Sequence, residues 1–207
     1  KLDPKATSWT FQTFDDNAAR KDQSLARVLH GTLEEHGATL ADMQTRGAGV
    51  YVTVNETDGQ GRKAENVIRV RAFFIDLDGA PLAPVKAWEE PHMLCETSPG
   101  RYHAFWRVDD CPLDTFRQVQ KDLIETFGGD DCVHDLPRVM RLPGFWHLKG
   151  DSYMVRTIDT GAIHARFNLS EFQRKLDPIK PTPKLSERAM PPDTPIKTGQ
   201  GWADTAL

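Results

Sequence analysis

The spacing of apolar residues changes several times between a period of two and a period near 3.6 within the first 176 residues. A period of two is typical of a half-buried β-strand, and a period of 3.6 is typical of an amphipathic helix. The predicted strands cover residues 9–14, 50–54, 67–77, 92–97, 102–108 and 153–158. The predicted helices cover residues 25–37, 40–45 and 116–127, with a last helix after Asn168. Hairpins with helices between them predict an α+β fold, in which a mostly antiparallel sheet has helices packed on one face.

Proline is concentrated near the end of the chain. Six of the 14 prolines lie between residues 178 and 195, where large apolar residues are scarce. This composition is typical of an extended linker or tail. We therefore expect a compact domain over residues 1–176 and a proline-rich tail over residues 177–207 that leads to a further domain. Prolines at positions 81, 84 and 91 predict a loop between two strands.

The cellular compartment is indicated by what the composition excludes. The sequence has no apolar run long enough for a membrane span and no signal-peptide pattern at its start. Its three cysteines include no CxxC pair, which argues against a disulfide framework and a structural zinc ribbon. We expect a cytoplasmic protein without a membrane partner.

Residues 72–79 read Ala-Phe-Phe-Ile-Asp-Leu-Asp-Gly. Side chains alternate faces along a strand, so Asp76 and Asp78 project from the same side, roughly 7 Å apart along the backbone. Two carboxylates on one face of a buried strand repel each other unless a cation joins them. Hard oxygen ligands of this kind suit Mg²⁺ or Mn²⁺. The alternative is that both acids mark the solvated exit of the strand and the turn at Gly79.

A tight turn joins the predicted strands 92–97 and 102–108. Its residues are Ser98, Pro99, Gly100 and Arg101, and proline followed by glycine is the pattern of a type II turn. If this hairpin neighbours the Asp76 strand, Arg101 and His103 face the carboxylates and can hold a triphosphate. The alternative for His103 is a structural role within its strand.

Residues 135–149 form a second candidate site, a stiff basic loop. Arg138, Arg141 and Lys149 lie between prolines and a glycine and alternate with apolar residues. The formal net charge of −4 is unfavourable for a nucleic-acid-binding protein, but phosphate binding needs only a local positive site. The alternative is a solvated surface run of charge. Asp135, at the start of the loop, is either a third carboxylate beside Asp76 and Asp78 or a turn and capping residue.

The order of these motifs resembles the catalytic domains of archaeo-eukaryotic primases. The matching features are Asp-x-Asp, then Ser-Pro-Gly-Arg-Tyr-His, then an aspartate shortly before Arg-Leu-Pro-Gly-Phe. The similarity is to the RepB-like primases and primase-polymerases of plasmids and phages, and it covers most of the compact domain. This resemblance implies the archaeo-eukaryotic primase fold, with a core like the sheet of an RNA-recognition motif.

The resemblance also implies an activity, that of a template-directed nucleotidyl transferase acting as a DNA primase, a DNA polymerase or both. Two Mg²⁺ or Mn²⁺ ions would be held by Asp76, Asp78 and Asp135, and His103 would contact the phosphates of the nucleotide. Ser98, Arg101, Arg138, Arg141 and Lys149 are assigned to the nucleotide or the template. We expect no zinc, because the sequence has no cluster of Cys and His at ligand spacing.

The expected partners are nucleoside triphosphates, a single-stranded DNA template, and a helicase or further domain beyond this segment. An unpaired template presents bases that stack on aromatic side chains. The aromatic candidates for stacking are Trp9, Tyr102, Phe105, Trp106 and Trp146. Three other functions use the same residues differently: a metal-dependent nuclease or phosphohydrolase, a non-catalytic single-stranded DNA-binding module of a replication initiator, and a protein-interaction domain.

Overall fold

A computed structural model describes residues 2–161 and 165–181 of the chain. The strands are β1 (Trp9–Asp15), β2 (Arg27–Gly31), β3 (Ala48–Thr53), β4 (Glu56–Thr57), β5 (Val67–Arg69), β6 (Ala72–Leu77), β7 (Met93–Ser98), β8 (Arg101–Arg107), β9 (Val139–Arg141), β10 (Trp146–His147), β11 (Tyr153–Met154) and β12 (Arg156–Ile158). The α-helices are α1 (Leu33–Thr45), α2 (Leu82–Trp88), α3 (Leu113–Phe127) and α4 (Leu169–Leu176). The remaining regular segments are 3₁₀ helices at Gln23–Leu25, Ala64–Asn66 and Asp177–Ile179.

Two four-stranded sheets form the framework of the domain. The first sheet has the strand order β2-β1-β3-β9, and the second has the order β12-β7-β8-β6. Every neighbouring pair in both sheets is antiparallel. The short pairs β4-β5 and β10-β11 complete the strands. The predicted α+β class with antiparallel pairing is confirmed, but the strands form two four-stranded sheets where the sequence predicted a single sheet.

The larger hydrophobic core lies between the second sheet and helices α3 and α4. Phe73 of β6 contacts Phe172 of α4 and Phe116 of α3, with ring centroids 4.5 and 5.9 Å apart. The predicted apolar stripe of α3 is buried in this core. Gly128 ends the helix in the left-handed region at φ +69°, which glycine adopts without steric cost. A smaller core of Phe11, Leu40 and Val50 joins α1 to the first sheet.

The outer edge of β6 is covered by a side chain of α3. Gln120 is fully buried, and its amide oxygen accepts a hydrogen bond from the Phe74 N–H at 3.3 Å. Its amide nitrogen donates to the Phe74 carbonyl and, at 3.2 Å, to the Val133 carbonyl. Two residues further along the strand, the Asp130 N–H donates to the Asp76 carbonyl at 3.0 Å. Both outward backbone groups of Phe74 and the outward carbonyl of Asp76 therefore have partners.

The predicted helix over residues 25–37 is wrong. Its first part is a 3₁₀ turn followed by β2, which pairs with β1. Helix α1 begins only after Thr32, whose side chain accepts from the Glu35 N–H while the Glu35 carboxylate accepts from the Thr32 N–H. This capping box fixes the start of the helix. The helix then continues to Thr45 without a break at Gly37, where the sequence predicted one helix to end before a second over residues 40–45.

Three smaller differences separate the observed elements from the predicted ones. The predicted strand 67–77 is divided into β5 and β6, and the predicted strand 153–158 into β11 and β12. The predicted proline loop contains α2. Pro84 lies in the first turn of this helix, where a missing N–H removes no intrahelical hydrogen bond. Residues 182–207 of the predicted tail lie outside the described residues. None of the helices among the described residues is long and apolar enough to cross a membrane.

Candidate active site

A cleft of about 640 Å³ opens between the two four-stranded sheets, within the range typical of ligand sites. One wall comes from β1, β3 and β9, and the other from β6, β7 and β8 with the turn after β7. Two loops, which follow α3 and β10, add further side chains. The polar lining residues are Asp76, Asp78, Thr97, Ser98, Arg101, His103, Asp130, Arg138, Arg141, His147 and Lys149. The cleft therefore collects eight of the nine site residues that the sequence predicts, all except Asp135.

Asp76 and His103 lie directly opposite each other on β6 and β8. The His103 Nε2 atom is 3.5 Å from the Asp76 Oδ2 atom, and the imidazole is only 6% exposed. Within the described structure, the buried His103 Nδ1 atom has no hydrogen-bond partner. Sheet register therefore fixes this pair, and the ring is held with one nitrogen toward the carboxylate.

Asp78 follows the last residue of β6 and forms an ion pair with Arg101, the first residue of β8. Both side chains are about half exposed in the cleft. The turn before Arg101 has Gly100 at φ +76°, the conformation that a type II turn requires at its third position. The predicted turn therefore places Arg101 beside the acidic pair, as the sequence indicated.

The third carboxylate of the cleft is Asp130, which the sequence analysis did not single out. Gly128 and Gly129 end α3 and bring the chain against β6, where a Cβ on Gly129 would lie 2.5 Å from the Ile75 Cγ1 atom. This close approach places the Asp130 N–H on the Asp76 carbonyl. The signal that could have identified Asp130 is the Gly-Gly pair that directly precedes it.

Asp135 is not among the described residues that line the cleft. Its carboxylate accepts a hydrogen bond from the Arg138 Nε atom at 2.6 Å. Arg138 lines the cleft and also donates to the Cys132 carbonyl. The structure thus places Asp135 behind Arg138, where it orients the guanidinium group.

Asp16, Arg141 and Tyr51 form a buried network in the wall of the first sheet. The Asp16 and Arg141 side chains are only 1% and 7% exposed. Both terminal nitrogens of Arg141 donate to the Asp16 carboxylate, at 2.9 and 3.1 Å, and the guanidinium group lies 4.8 Å from the centroid of the Tyr51 ring. The carboxylate also accepts from the Tyr51 hydroxyl at 3.1 Å and from the Leu148 N–H at 2.9 Å. Asp16 therefore links the predicted cation Arg141 to the loop that bears Lys149.

Burial and neighbouring charges together set the protonation of Asp16, Tyr51 and His147. Burial alone raises the pKa of Asp16, but hydrogen bonds and charge from Arg141 outweigh it, so the pKa lies below its usual value. Burial raises the pKa of the Tyr51 hydroxyl, which stays protonated. Burial also lowers the pKa of His147, whose Nδ1 atom lies 2.9 Å from the Thr97 carbonyl oxygen. Near pH 7 the wall thus has a carboxylate, a phenol and a neutral imidazole.

The predicted stacking residues are distributed differently from the expectation. Phe105 and Trp106 are buried in the larger core. Trp146 is 42% exposed but is not among the described residues that line the cleft. The aromatic residues in the lining are Phe14 and Tyr51 of the first sheet.

A comparison with protein families decides which group this site belongs to. The sequence model for the RepB DNA-primase N-terminal domain matches residues 17–175, which is most of the chain. The chain belongs to this primase family. The family resemblance seen in the sequence motifs is thereby confirmed, and the cleft described above is the cleft of a plasmid- or phage-type primase domain.

Solved structures confirm the fold of this RepB-type primase domain. The archaeo-eukaryotic primase domain of the cyanophage S-2L primase-polymerase is similar with a TM-score of 0.66 and 21% identity, over 82% of this chain and 89% of that chain. The primase RepB′ is similar with a TM-score of 0.59 and 19% identity, over 84% of this chain and 59% of that chain. The catalytic domain of RepB′ in complex with initiator DNA is similar with a TM-score of 0.59 and 20% identity, over 84% of this chain and 87% of that chain. No curated protein sequence matches the chain.

The carboxylates of the primase cleft fit a divalent cation. Magnesium is usually bound through one or two carboxylates together with substrate phosphates, rather than by a complete protein cage. Asp76 and Asp78 are 23% and 53% exposed, so their oxygens are accessible from the cleft. The described residues contain no group of three or more His, Cys, Asp or Glu side chains arranged to hold a metal ion. Asp76 and Asp78 could therefore hold a divalent ion only if water and phosphate completed its coordination.

Proposed function

We propose that this primase domain catalyses template-directed nucleotidyl transfer. In this reaction a 3′-hydroxyl attacks the α-phosphorus of a nucleoside triphosphate, a new phosphodiester bond forms, and pyrophosphate leaves. The observation that supports the proposal is the juxtaposition of the Asp76 and Asp78 carboxylates with four cations in one cleft. A nucleoside triphosphate needs both features, because its phosphates bind the cations, while the carboxylates would hold the divalent ions that neutralise negative charge developing on the reacting oxygens.

Two divalent ions, Mg²⁺ or Mn²⁺, held by Asp76 and Asp78, would lower the pKa of the attacking hydroxyl and neutralise charge on the leaving group. We propose Asp130 as a further carboxylate near this site, because it lines the same cleft and its backbone is bonded to Asp76. In the described structure it does not form a three-ligand metal group with Asp76 and Asp78. The assignment of Asp135 as a metal ligand stays a prediction from the sequence.

The basic residues of the cleft would bind the triphosphate. Arg138 and Lys149 are placed on the two loops, and Arg101 is on the hairpin turn. Arg141 lines the cleft but is only 7% exposed and pairs with Asp16, so its contact with a phosphate stays a prediction from the sequence. His103 is held in β8 beside Asp76 and is positioned to contact a phosphate next to the reacting group.

A single-stranded DNA template is the nucleic-acid partner that we propose. The catalytic domain of the similar protein RepB′ has been solved with initiator DNA. Four cations in the cleft provide the local positive charge that binding to a phosphate backbone requires, even though the chain has a net charge of −4. A helicase or further domain beyond this segment also stays a proposal.

The proposal is tested by incorporation of labelled nucleotides on a single-stranded template, with and without a primer, in Mg²⁺ or Mn²⁺. Asp76→Ala should lower incorporation at least about 100-fold, since it removes a charge from the reacting centre. The matched control is Asp42→Ala, which removes a 69% exposed carboxylate on α1 and should leave the rate unchanged.

The reactions with and without a primer distinguish primase activity from polymerase activity. Product without a primer identifies a primase, and product with the primer alone identifies a polymerase. Full incorporation by Asp76→Ala would exclude the assigned site. Degradation of the template without incorporation would instead favour the nuclease alternative.

A further inference from the structure

Phe14 differs from every other phenylalanine of the chain. All ten phenylalanines lie within the described residues, and Phe14, at 37%, is the one that is exposed. It is the second-last residue of β1 and lines the cleft. An isolated exposed apolar residue is ordinary on a protein surface. An exposed phenylalanine ring is less usual inside a cleft lined mostly by charged and polar residues. Those residues attract charged and polar ligands, whereas the ring offers an apolar contact.

The ring of Phe14 is held in place from behind. The Tyr51 ring meets it edge to face, with centroids 5.7 Å apart and an interplanar angle of 66°. Tyr51 is itself fixed by its hydrogen bond to Asp16 and by the guanidinium group of Arg141 over its ring. Because Tyr51 is tied to the buried Asp16–Arg141 pair, Phe14 presents a preformed surface instead of collapsing into the wall.

A cation lies next to this ring, although Arg62 is not among the described residues that line the cleft. The Arg62 guanidinium carbon lies 5.9 Å from the centroid of the Phe14 ring. Its Nη1 atom donates to the Pro137 carbonyl at 3.1 Å, which ties the β4–β5 hairpin to the basic loop. An aromatic ring together with an arginine plane is the combination on which nucleobases stack, since both groups interact with the flat face of any base.

The two walls of the cleft match the two ends of a nucleotide. Asp76 and Asp78 lie on the second sheet, and Phe14 lies on the first. In a nucleotide the charged phosphates and the flat base are joined through the sugar, so one bound molecule presents both chemistries to one cleft. We propose that Phe14, supported by Tyr51 and flanked by Arg62, is a stacking platform for an unpaired nucleobase.

This inference rests on the proposed function, because it takes the ligand to be a nucleotide or a template strand. The base could belong to the single-stranded template or to the incoming nucleoside triphosphate. Binding experiments on the whole chain distinguish these sources without requiring turnover. The variants are Phe14→Leu, which removes the ring, and Phe14→Trp, which keeps a stacking surface. Trp146→Leu is the matched control, since it removes an equally exposed aromatic ring outside the lining of the cleft.

One arm measures the Kd of a labelled single-stranded oligodeoxynucleotide and of an abasic strand of the same length. The other arm measures the Kd of a fluorescent nucleoside triphosphate and its displacement by inorganic tripolyphosphate. Phe14→Leu should weaken one of the base-containing ligands about tenfold. The base-free ligand of the same arm should bind within about twofold of the wild-type value, and Phe14→Trp should restore binding. The arm that changes identifies the source of the base.

Three results would overturn the platform: unchanged binding in both arms, equal weakening of the base-free ligands, or the same effect from Trp146→Leu. If Phe14→Leu does not fold, Phe14→Thr suits the strand position and takes its place. Failure of the proposed function has a different signature. A chain that incorporates no nucleotide but shows the base-dependent loss on Phe14→Leu would keep the platform and lose the polymerase.

Discussion

The two walls of the cleft hold their charges in different ways. In the first sheet, the Asp16 carboxylate accepts four hydrogen bonds and is almost completely buried. In the second sheet, Asp76 contacts His103 at 3.5 Å, and Asp78, just after β6, shares a half-exposed ion pair with Arg101. The first wall satisfies its charges internally, whereas the second leaves its charges accessible to a ligand.

The energetic consequences differ accordingly. A buried ion pair is tolerated only when further hydrogen bonds compensate for lost solvation, and removing one partner leaves an isolated buried charge. An exposed pair contributes about 0–1 kcal/mol, so a ligand competes with it at little cost. We infer that the first wall determines the stability and position of the site, and that the second wall determines its chemistry.

The largest effect on stability is expected from Asp16→Asn. The variant leaves Arg141 buried without its counter-charge, so the free energy of unfolding should fall by about 3–5 kcal/mol. Urea unfolding of the variant and the wild type measures this change. Asp42→Asn, which alters an exposed carboxylate 4.0 Å from Arg46, is the matched control and should change stability by less than about 1 kcal/mol.

The stability of the wild type and of Asp16→Asn should also depend differently on pH. Although burial raises the pKa of Asp16, the hydrogen bonds and charge of Arg141 lower it further. A depressed pKa in the folded state stabilises the protein above the unfolded-state pKa of about 3.9, and this stabilisation is lost as the pH falls through the folded-state value. The difference between wild type and Asp16→Asn should therefore be complete at neutral pH and shrink below about pH 4. A difference that stays constant down to pH 3 would contradict the network.

On the loop after α3, Asp130→Asn should lower incorporation at least about 100-fold while leaving stability nearly unchanged, since it would remove a charge from the proposed reacting centre. Asp135→Asn should reduce incorporation by less than about fivefold, because it only loosens the part-exposed Arg138. Single-turnover incorporation compares the two variants. The reverse order would restore Asp135, the candidate predicted from the sequence, as the third carboxylate.

His103→Ala should have a smaller effect than Asp130→Asn. Loss of one hydrogen bond to a charged phosphate should raise the KM for the nucleotide about tenfold, with little change in the Kd of the template. Steady-state kinetics and strand-binding measurements separate the two constants. An unchanged KM would show that the imidazole serves the fold and not the phosphates, and would remove one ligand-facing group from the second wall.

Local patterns predicted most of the fold, because strands and hairpins leave their signature in neighbouring residues. The alternation before Asp76 and the turn at Gly100 both place residues correctly on adjacent strands. The helix over residues 25–37 failed for a tertiary reason. Its apolar spacing also suits a 3₁₀ turn and a strand, and pairing with β1 decides between them.

The candidate site was predictable only where its residues lie in motifs. Asp76 and Asp78 come from one motif at the end of β6, and Arg101 and His103 come from a second motif in the β7–β8 hairpin. The two motifs meet through the register of β6 with β8. Asp16 has no motif, since its partners Tyr51 and Arg141 lie 35 and 125 residues away. Long-range contacts of this kind depend on how the two sheets pack, which no local pattern contains.

The covering of the β6 edge has a consequence for association between molecules. A bare edge strand invites another chain to add a strand through its free N–H and C=O groups. Here the Gln120 amide bonds both backbone groups of Phe74 much as a neighbouring strand would, and the Asp130 N–H takes the next outward carbonyl. The strand that bears Asp76 is thereby protected from pairing with a strand of another molecule. The Asp76 carboxylate can therefore stay accessible to ligands without exposing an edge that promotes association.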